Sequence, residues 1–476
     1  MKKMRFFKLL VSLLLMPALL VQVHATQINQ DGDPTVTAGA QSPDGNMPVF
    51  DSTKIMKSAR SAVLYELTSD TLVYSLSPDK QTEPSSLTKI MTALLAVENG
   101  NLEDQITVSW QVMEQVPSNA LVAGLKNGEE VTLEQLLYLM MVGSANDAAC
   151  LIANHIGGSQ IAFVDMMNQR AQELGCTGTS FRNAHGIHEE GHFSTARDLL
   201  KILRKAMEYP QFEKIFTTNR YTLDQTNMSE PRNYHTTNYM ASDALTDDYL
   251  DRRVIGGRTG NTDAGRRNLA AVAEQDGSVY LTVVLEAESQ YAENGVMIRQ
   301  GAFEDTGLLL DLGFQQCTTV QVVYEGQILD QLTVTGGDSD VVISAAHTVS
   351  SVVPKSWDRS LLTTRIDLNV QTLTAPVQAG TYVGDYLVYY ENRCIASVPL
   401  HTRHDVKTAP IPSTPGDQQG DTGFDPGALT TALLVLGVIF AVILVLLGGM
   451  FLLRWLRSMR GRNRKQKRRV DRRRSR

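Results

Sequence analysis

The sequence predicts an α+β fold for residues 51–315, followed by a small all-β module at 316–406. Short segments with strand character lie at both ends of the first region, and helical patterns lie between them. This order favours an antiparallel sheet that is completed by distant parts of the chain and covered by helices. After residue 316 the pattern changes to short segments in which apolar and polar residues alternate. Turns separate these segments roughly every ten residues, which is typical of a β module.

The N-terminus carries the pattern of an export signal. Four basic residues within the first eight positions precede an apolar run from Leu9 to Leu20, and residues 23–25 offer a small-residue cleavage site. This order predicts a secretory signal peptide at 1–25, with a retained N-terminal anchor as the alternative. Residues 26–50 are polar, contain Gly and Pro and lack periodicity, which predicts a flexible leader.

The C-terminus carries the pattern of a membrane span. Residues 428–453 form 26 consecutive positions without a charge, enough to cross a bilayer core of about 30 Å as a helix. The following segment, 454–476, has 13 basic residues and a single acidic one, so the positive-inside rule predicts a cytoplasmic tail. Residues 407–427 are rich in Pro, Gly, Asp, Ser and Thr and predict a semi-extended linker. We therefore expect a single-pass protein of the cell membrane whose body lies outside the cell.

Charge and cysteine content restrict the class of protein. The net charge is −7; the tail contributes +12 and the signal region +4, so about −23 remains for the exported body. A body this acidic argues against nucleic acid as a partner. Four cysteines in a large exported chain are too few for a disulfide framework. Cys150 and Cys176 lie in apolar surroundings and are predicted to be buried thiols, while one bridge among the four stays possible.

Local patterns place the elements of the α+β region in order. A hairpin is predicted at 62–74, with its turn at 68–70. A helix follows, in which apolar residues recur on one face between Leu87 and Leu95. A second helix opens at Thr132 with a capping box that includes Gln135. A late hairpin at 268–286 turns at 275–277, where Asp276-Gly277 is a strong turn signal.

The first chemical signal is a serine three residues before a lysine at the start of the first helix. Ser86 and Lys89 lie at i and i+3, so the amine can reach the hydroxyl and take its proton. Free backbone N–H groups at a helix start can also stabilise an oxyanion. A serine in this position is equally the pattern of a helix cap, so the pair alone does not establish an enzyme.

Two further elements strengthen the catalytic interpretation. Ser144-Ala145-Asn146 interrupts two helical segments and can present a hydroxyl and an amide to the same cleft. Gly256 to Gly260 reads G-G-R-T-G just before the late hairpin, so a cation lies beside a hydroxyl, and the glycines allow a substrate backbone to approach. S-x-x-K, S-x-N and K-T-G in this order are the motif set of penicillin-binding proteins and serine β-lactamases.

The sequence around these motifs resembles that of a particular family. The segments 84–92, 181–187, 192–199 and 256–265 resemble the low-molecular-mass D-alanyl-D-alanine carboxypeptidases over roughly residues 50–315. The β module at 316–406 is similar to the C-terminal domain of that family. The resemblance implies a penicillin-binding or β-lactamase-like transpeptidase fold. It also implies an enzyme that removes the terminal D-alanine from peptidoglycan pentapeptide stems, is acylated by β-lactams, and acts in peptidoglycan remodelling and cell shape.

The resemblance also implies roles for individual residues. Ser86 is the nucleophile, Lys89 the general base, and Ser144 the relay that delivers a proton to the leaving amine. The substrate-binding residues that it implies are Asn146, Arg258, Thr259, Gly260 and Asn261. Arg258 and Thr259 meet the terminal carboxylate, and the backbone N–H groups of Ser86 and Asn261 form the oxyanion hole. No cofactor and no metal are expected.

One residue departs from the family pattern. Arg258 stands where the family has lysine. Both side chains are cations, and arginine binds a carboxylate through two parallel N–H groups, so recognition of the substrate should survive. Arginine remains charged and is bulkier, so deacylation or substrate preference can change.

The sequence also contains features of three other classes of protein. His188 to His192 matches the H-E-x-x-H zinc signature. Gly186 and Gly191 bracket this stretch and no apolar period runs through it, so a loop is expected there and not a zinc helix. A serine β-lactamase shares the motif set, although its second motif is usually S-D-N and it usually lacks the β module. A penicillin-binding sensor without turnover is the third alternative, and Arg258 is the feature that suggests it.

Overall fold

The fold is taken from a computed structural model, which describes residues 50, 55–118, 120–244, 246–262, 266–293 and 297–410. The predicted signal peptide, the membrane span and the basic tail lie outside these residues, as do the leader except for Phe50 and the linker after residue 410. Within the described residues, no helix combines the length and apolar character needed to cross a membrane.

A five-stranded antiparallel sheet forms the centre of the first domain. Its strands are β1 (Ser61–Glu66), β2 (Thr71–Leu76), β7 (Val254–Asn261), β8 (Arg267–Gln275) and β9 (Ser278–Ala287). The strands lie in the order β2-β1-β9-β8-β7, so the early hairpin pairs with a strand about 200 residues later in the chain. The predicted hairpins and the sheet completed by distant segments are therefore confirmed. The late turn has Asp276 and Gly277 at positive φ, as its sequence predicts.

Helices cover both faces of this sheet. Among the described residues they are α1 (Lys89–Asn99), α2 (Trp110–Met113), α3 (Leu133–Met141), α4 (Asn146–Gly157), α5 (Gln160–Glu173), α6 (Ala196–Met207), α7 (Pro210–Phe216) and α8 (Gly301–Asp311). Residues from α1 and α3 to α7 form one large core with alternate residues of β8 and β9, such as Val272 and Val283. The intervening residues, such as Leu269 and Val284, pack on the other face against α8. This alternation is what a sheet buried on both faces requires.

This domain also contains short two-stranded sheets that are separate from the central sheet. They are formed by β3 (Gln105–Thr107) with β4 (Glu130–Thr132), β5 (Arg220–Leu223) with β6 (Arg232–His235), and β10 (Ser289–Tyr291) with β11 (Met297–Gln300). The predicted capping box is confirmed, because the Thr132 hydroxyl accepts from the Gln135 N–H at 3.1 Å and the Gln135 side chain accepts from the Thr132 N–H at 2.7 Å.

The second domain is all-β, as its sequence predicts. Its strands are β12 (Cys317–Val323), β13 (Ile328–Leu332), β14 (Val334–Thr335), β15 (Val341–Ala345), β16 (Val349–Pro354), β17 (Leu362–Leu368), β18 (Leu373–Thr374), β19 (Tyr382–Tyr390) and β20 (Arg393–Thr402). The main sheet has the order β13-β15-β20-β19-β17. The chain stays paired with this domain beyond 406, since Thr408 bridges Gly337 and the Ala409 N–H donates to the Gly336 carbonyl at 2.8 Å. The ordered β domain thus extends into the first residues of the predicted linker.

All four cysteines are unbridged and buried. The prediction of buried thiols at Cys150 and Cys176 is confirmed, and the possible bridge is not formed. Burial raises the pKa of each of these two thiols to about 12. The fold therefore depends on packing and hydrogen bonds, without a covalent cross-link.

Asp305 on α8 binds the segment that leads into β1 through hydrogen bonds. Its fully buried carboxylate accepts from the backbone N–H groups of Lys57 at 2.7 Å, Ser58 at 3.0 Å and Ala59 at 2.6 Å, and from the Ser58 hydroxyl at 2.8 Å. Hydrogen bonds to a buried charged group are among the strong ones in a protein. This carboxylate fixes the entry of the chain into the sheet.

Replacing this carboxylate should destabilise the fold without touching the cleft. Asp305→Ala leaves the N–H groups of 57–59 without their acceptor, and we expect the free energy of unfolding to fall by about 3 kcal/mol. The measurement is urea unfolding of a chain of residues 26–410. The matched control is Glu304→Ala on the same helix turn, whose carboxylate forms a partly exposed ion pair with Arg299 at 2.5 Å. The control should cost less than about 1 kcal/mol, and equal losses in both variants would contradict the assignment.

Candidate active site

The turn that carries Ser86 lies directly before α1. Residues Ser85–Thr88 form one 3₁₀ turn, in which Ser85 has a positive φ of 48°. Two glycines allow neighbouring segments to pack on this turn. A Cβ atom on Gly186 would lie 1.8 Å from the Ser85 carbonyl oxygen, and one on Gly260 would lie 2.2 Å from the Ser85 hydroxyl. Ser86 is thus held between β7 and the loop around 186.

Lys89 lies under Ser86 with its side chain fully buried. Its Nζ is 3.4 Å from Ser86 Oγ, and it donates to Asn146 Oδ1 at 2.7 Å and to the His185 carbonyl at 2.6 Å. Burial lowers the pKa of Lys89 well below its usual range, and the nearby positive charge of Arg258 lowers it further. An amine with a depressed pKa can be neutral near neutral pH and accept a proton from the serine.

The Ser144–Asn146 turn joins α3 to α4, as the sequence predicts. Ser144 adopts a positive φ of 60°, which turns its hydroxyl into the cleft. Asn146 begins α4, and its Nδ2 donates to the Leu121 carbonyl at 2.8 Å while its Oδ1 accepts from Lys89. This one amide therefore connects the lysine to the segment that forms the opposite wall of the cleft.

Arg258 is a buried cation on the edge strand β7. Its side chain is 1% exposed, and it donates to the Met141 carbonyl at 3.1 Å and to the Ser144 hydroxyl in a short contact. Burial lowers the pKa of Arg258 to about 10. Among the described residues, no carboxylate forms an ion pair with Arg258. The positive charge is therefore available to the cleft, while two of the N–H groups are already used by the protein.

The remaining predicted residues follow along β7. The Thr259 hydroxyl is in short contact with that of Thr237, a residue that the sequence did not single out. The side chain of Asn261, at the end of β7, accepts a hydrogen bond from Arg267. Arg267 is the residue of β8 that is paired with Asn261. Gly256 to Gly260 lies inside β7 and forms part of the sheet itself, not only the approach to the late hairpin.

These side chains meet at one cavity of about 370 Å³. The predicted residues that line it are Ser86, Ser144, Asn146, Arg258, Thr259, Gly260 and Asn261. Lys89 lies beneath the cavity and connects to it through its contacts with Ser86 and Asn146. Segments separated by up to 175 positions in the sequence therefore converge on one serine.

Two supporting residues escaped the sequence analysis. Asp147 is buried and accepts from the Ala123 N–H at 2.9 and 3.0 Å, which fixes the segment beside Leu121. Asn268 donates to the Glu83 carbonyl at 2.8 Å and accepts from the Glu286 N–H at 2.8 Å, so it fastens the Ser86 turn to the sheet. An acidic residue in the first turn of an apolar helix and a polar residue within an apolar strand were the available signals.

The H-E-x-x-H stretch forms a loop, and its two histidines have different partners. His188 Nδ1 is 2.9 Å from the Glu83 carboxylate. His192 Nδ1 accepts from the Arg182 N–H at 3.1 Å, so its Nε2 carries the proton and donates to Thr88 Oγ1 at 2.8 Å. Burial lowers the pKa of His192 to about 4. His192 therefore acts as a neutral structural residue behind the Ser86 turn.

An antiparallel sheet covered by helices, with a buried lysine below a serine and a cationic edge strand across the cleft, defines a penicillin-binding type of serine acyl-transfer enzyme. The family profile described as D-alanyl-D-alanine carboxypeptidase matches residues 49–289, and that of the penicillin-binding protein 5 C-terminal domain matches 318–408. The chain belongs to the D-alanyl-D-alanine carboxypeptidase family. It is a serine-type peptidase of that family.

Individual relatives cover most of the chain. The D-alanyl-D-alanine carboxypeptidase DacF of Bacillus subtilis is 27% identical over 364 residues, 75% of this chain and 88% of the relative. The D-alanyl-D-alanine carboxypeptidase of Streptomyces sp. K15 is 32% identical over 267 residues, 53% of this chain and 90% of the relative. The crystal structure of penicillin binding protein 5 from Haemophilus influenzae has a TM-score of 0.61 and 26% identity, and covers 74% of this chain and 98% of that one. The predicted transpeptidase fold with a C-terminal β domain is confirmed.

The pH dependence of acylation should depend on the charge of Arg258. A nearby cation disfavours protonated Lys89, so removing it in Arg258→Gln should raise the pKa of Lys89. Less neutral amine is then present at a given pH, and we expect the acidic limb of the rate profile to move to higher pH. The measurement is the second-order rate of acylation by penicillin against pH.

The control for this prediction is Arg258→Lys, which keeps a cation at the same place. Its acidic limb should stay closer to that of the natural protein than the limb of Arg258→Gln does. An unchanged limb in Arg258→Gln would show that burial alone sets the pKa of Lys89.

Proposed function

We propose that this protein removes the terminal D-alanine from peptidoglycan pentapeptide stems through an acyl-enzyme on Ser86. The observation that carries the proposal is the placement of the Lys89 amine, 3.4 Å from Ser86 Oγ and held by Asn146 and the His185 carbonyl. In the neutral amine, both N–H groups donate to these two acceptors. The nitrogen lone pair is therefore left to accept the proton of the Ser86 hydroxyl. The family supports the same reaction class, a serine carboxypeptidase acting on peptidoglycan.

The first half of the reaction forms the acyl-enzyme. Lys89 Nζ takes the proton of the Ser86 hydroxyl as Oγ attacks the carbonyl of the penultimate D-alanine. The backbone N–H groups of Ser86 and Asn261 receive the oxyanion. The C–N bond then breaks, and Ser144 passes a proton to the leaving amine of D-alanine and takes in its place the proton that Lys89 had accepted, which leaves Lys89 neutral again. Asn146 positions the peptide, and Arg258, Thr259 and Gly260 form the wall that faces the leaving residue.

The second half releases the shortened stem. Water attacks the ester carbon and gives a proton to Lys89; the bond to Ser86 Oγ then breaks, and Lys89 returns that proton to Oγ. The net reaction is hydrolysis of one peptide bond, so no cofactor is required. A β-lactam presents a strained amide to the same serine and acylates it. In the cell, this activity trims pentapeptide stems and so contributes to peptidoglycan remodelling and cell shape.

Labelled penicillin tests the nucleophile. We expect one covalent adduct, mapped by mass to Ser86, and release of free D-alanine from a muramyl pentapeptide. Ser86→Ala should abolish both signals. The control is Ser85→Ala, which removes the neighbouring buried hydroxyl, 3.3 Å from Asn268 Nδ2, and should keep the adduct. A label on another residue would overturn the assignment, and rapid hydrolysis of penicillin would favour a β-lactamase. An adduct without release of D-alanine would favour a sensor.

We further propose a single-pass arrangement, with the chain exported by a signal peptide at 1–25 and anchored at 428–453. The supporting pattern is the uncharged run of 26 residues followed by 13 basic residues. The catalytic domain then faces the cell wall, and the tail at 454–476 is cytoplasmic.

A truncated chain tests this arrangement. Residues 26–410 retain the paired strand end near Thr408 and should be soluble and active on small peptides. The full chain should stay with the membrane after a high-salt wash, because apolar burial does not weaken with ionic strength as charge attraction does. A full chain released by salt would contradict the span, and an insoluble 26–410 fragment would indicate a further membrane-binding surface.

A further inference from the structure

Two arginines contact the cavity, and their surroundings differ. Arg258 is 1% exposed and donates to the Met141 carbonyl at 3.1 Å and to Ser144 Oγ. Its donors thus hold the S-x-N turn in place from below. Because this guanidinium is almost fully buried, a substrate group has little access to its remaining N–H groups, although its charge still acts on the cavity.

Arg267 reaches the cavity from the second strand of the sheet edge. It is half-buried and lines the cavity, and it donates to the Asn261 side chain and to the Tyr291 hydroxyl at 2.6 Å. A guanidinium has five N–H groups, so two such bonds orient it and leave three donors. Across the described ranges, which omit 263–265 and 294–296, no carboxylate lies within ion-pair distance of Arg267. Its charge is therefore directed into the cavity without a counter-ion in that part of the chain.

Strand register places Arg267 on the same sheet face as the threonine pair. Thr259 and Asn261 are two residues apart on β7, so their side chains share a face. Asn261 is paired directly with Arg267, which therefore projects to that face as well. The distance along the strand between Thr259 and Asn261 is about 7 Å, within reach of an arginine side chain. Thr237 contacts Thr259 on this face and adds a second hydroxyl.

The leaving residue of the substrate must lie within reach of this face, because one cavity is lined by Ser144, Thr259 and Arg267 together. Ser144 gives its proton to the leaving amine and is held by Arg258, while the next residue, Thr259, projects from the opposite face of β7 and lines the same cavity. The terminal carboxylate is one Cα atom beyond that amine. It therefore arrives beside the Thr237–Thr259 hydroxyl pair, with the guanidinium of Arg267 as the accessible cation on the same face.

We propose that Arg267 binds the terminal carboxylate of the substrate together with the hydroxyls of Thr259 and Thr237, while Arg258 positions Ser144. The inference rests on the proposed carboxypeptidase function and names the residue that selects a free C-terminus. Paired N–H groups of a guanidinium match the two carboxylate oxygens. A neutral C-terminus lacks this contact, so Arg267 restricts the enzyme to unamidated, unesterified ends.

The test separates the carboxylate from the rest of the substrate. Acyl-D-alanyl thioesters are prepared with thioglycolate as the leaving group, which retains the carboxylate, and with methyl thioglycolate, which does not. Both are assayed with the full chain in detergent, in its natural form and as Arg267→Gln. The matched control is Arg266→Gln, which makes the same charge change next door, where the guanidinium pairs with Glu288 at 2.9 Å.

The expected result is selective. Arg267→Gln should lower kcat/KM for the carboxylate thioester by about 10- to 100-fold, the range for a lost charge-assisted bond, and change the neutral ester by less than about twofold. Arg266→Gln should leave both substrates within about twofold. Arg267→Lys should recover part of the loss, because it restores the charge without the paired geometry.

Several outcomes would overturn the assignment of Arg267. Equal losses on both thioesters would indicate a structural role, and no loss on either would exclude the contact. A loss that follows a carboxylate on the third stem residue, with the C-terminus esterified, would place the anion on the stem. These results require an active natural enzyme that is labelled on Ser86. Inactivity of that enzyme on both thioesters, without a label, would instead reject the proposed function and the assignment with it.

Discussion

The site depends on a buried amine that is satisfied from two directions. Lys89 extends from α1 and donates to the side chain of Asn146 on α4 and to the backbone of His185 in a loop. A buried amine with unpaired N–H groups is costly even in its neutral form, so these two acceptors stabilise the lysine in its buried position. The same bonds fix the relative positions of three segments. The catalytic geometry and the packing of the helical region therefore have a common origin.

The sheet edge supplies the other half of the cleft. Strand β7 is the last strand of the sheet, so one of its sides is unpaired and can face a peptide. Glycines at 256, 257 and 260 allow the neighbouring segments and the Ser85 turn to approach this strand closely. A side chain at 260 would collide with Ser85, which explains why the cation and the hydroxyl precede a glycine. The open edge is usable because the turn that bears Ser86 covers it only in part.

The sequence predicted the elements and the three motif segments because each has a local signal. Periodicity identified α1, the capping box identified α3, and the Asp276-Gly277 turn identified the late hairpin. Thr237 had no such signal, since it lies in an aperiodic stretch and reaches Thr259 only through the tertiary fold. Arg266 and Arg267 are indistinguishable as a dipeptide. Only the register of β8 against β7 sends one towards Glu288 and the other towards the cavity.

Because its four thiols are buried, the natural protein should react slowly with thiol-specific reagents. The thiolate is the reactive form of cysteine, and burial raises the pKa of Cys317, as of Cys150 and Cys176, to about 12. A cysteine introduced at an exposed position such as Ile161, 79% exposed on α5, would then be the one readily labelled site. A single dye or spin label can thus be attached without removing any native cysteine. The distance from such a label to a bilayer is a direct measurement of the proposed membrane arrangement on the folded protein.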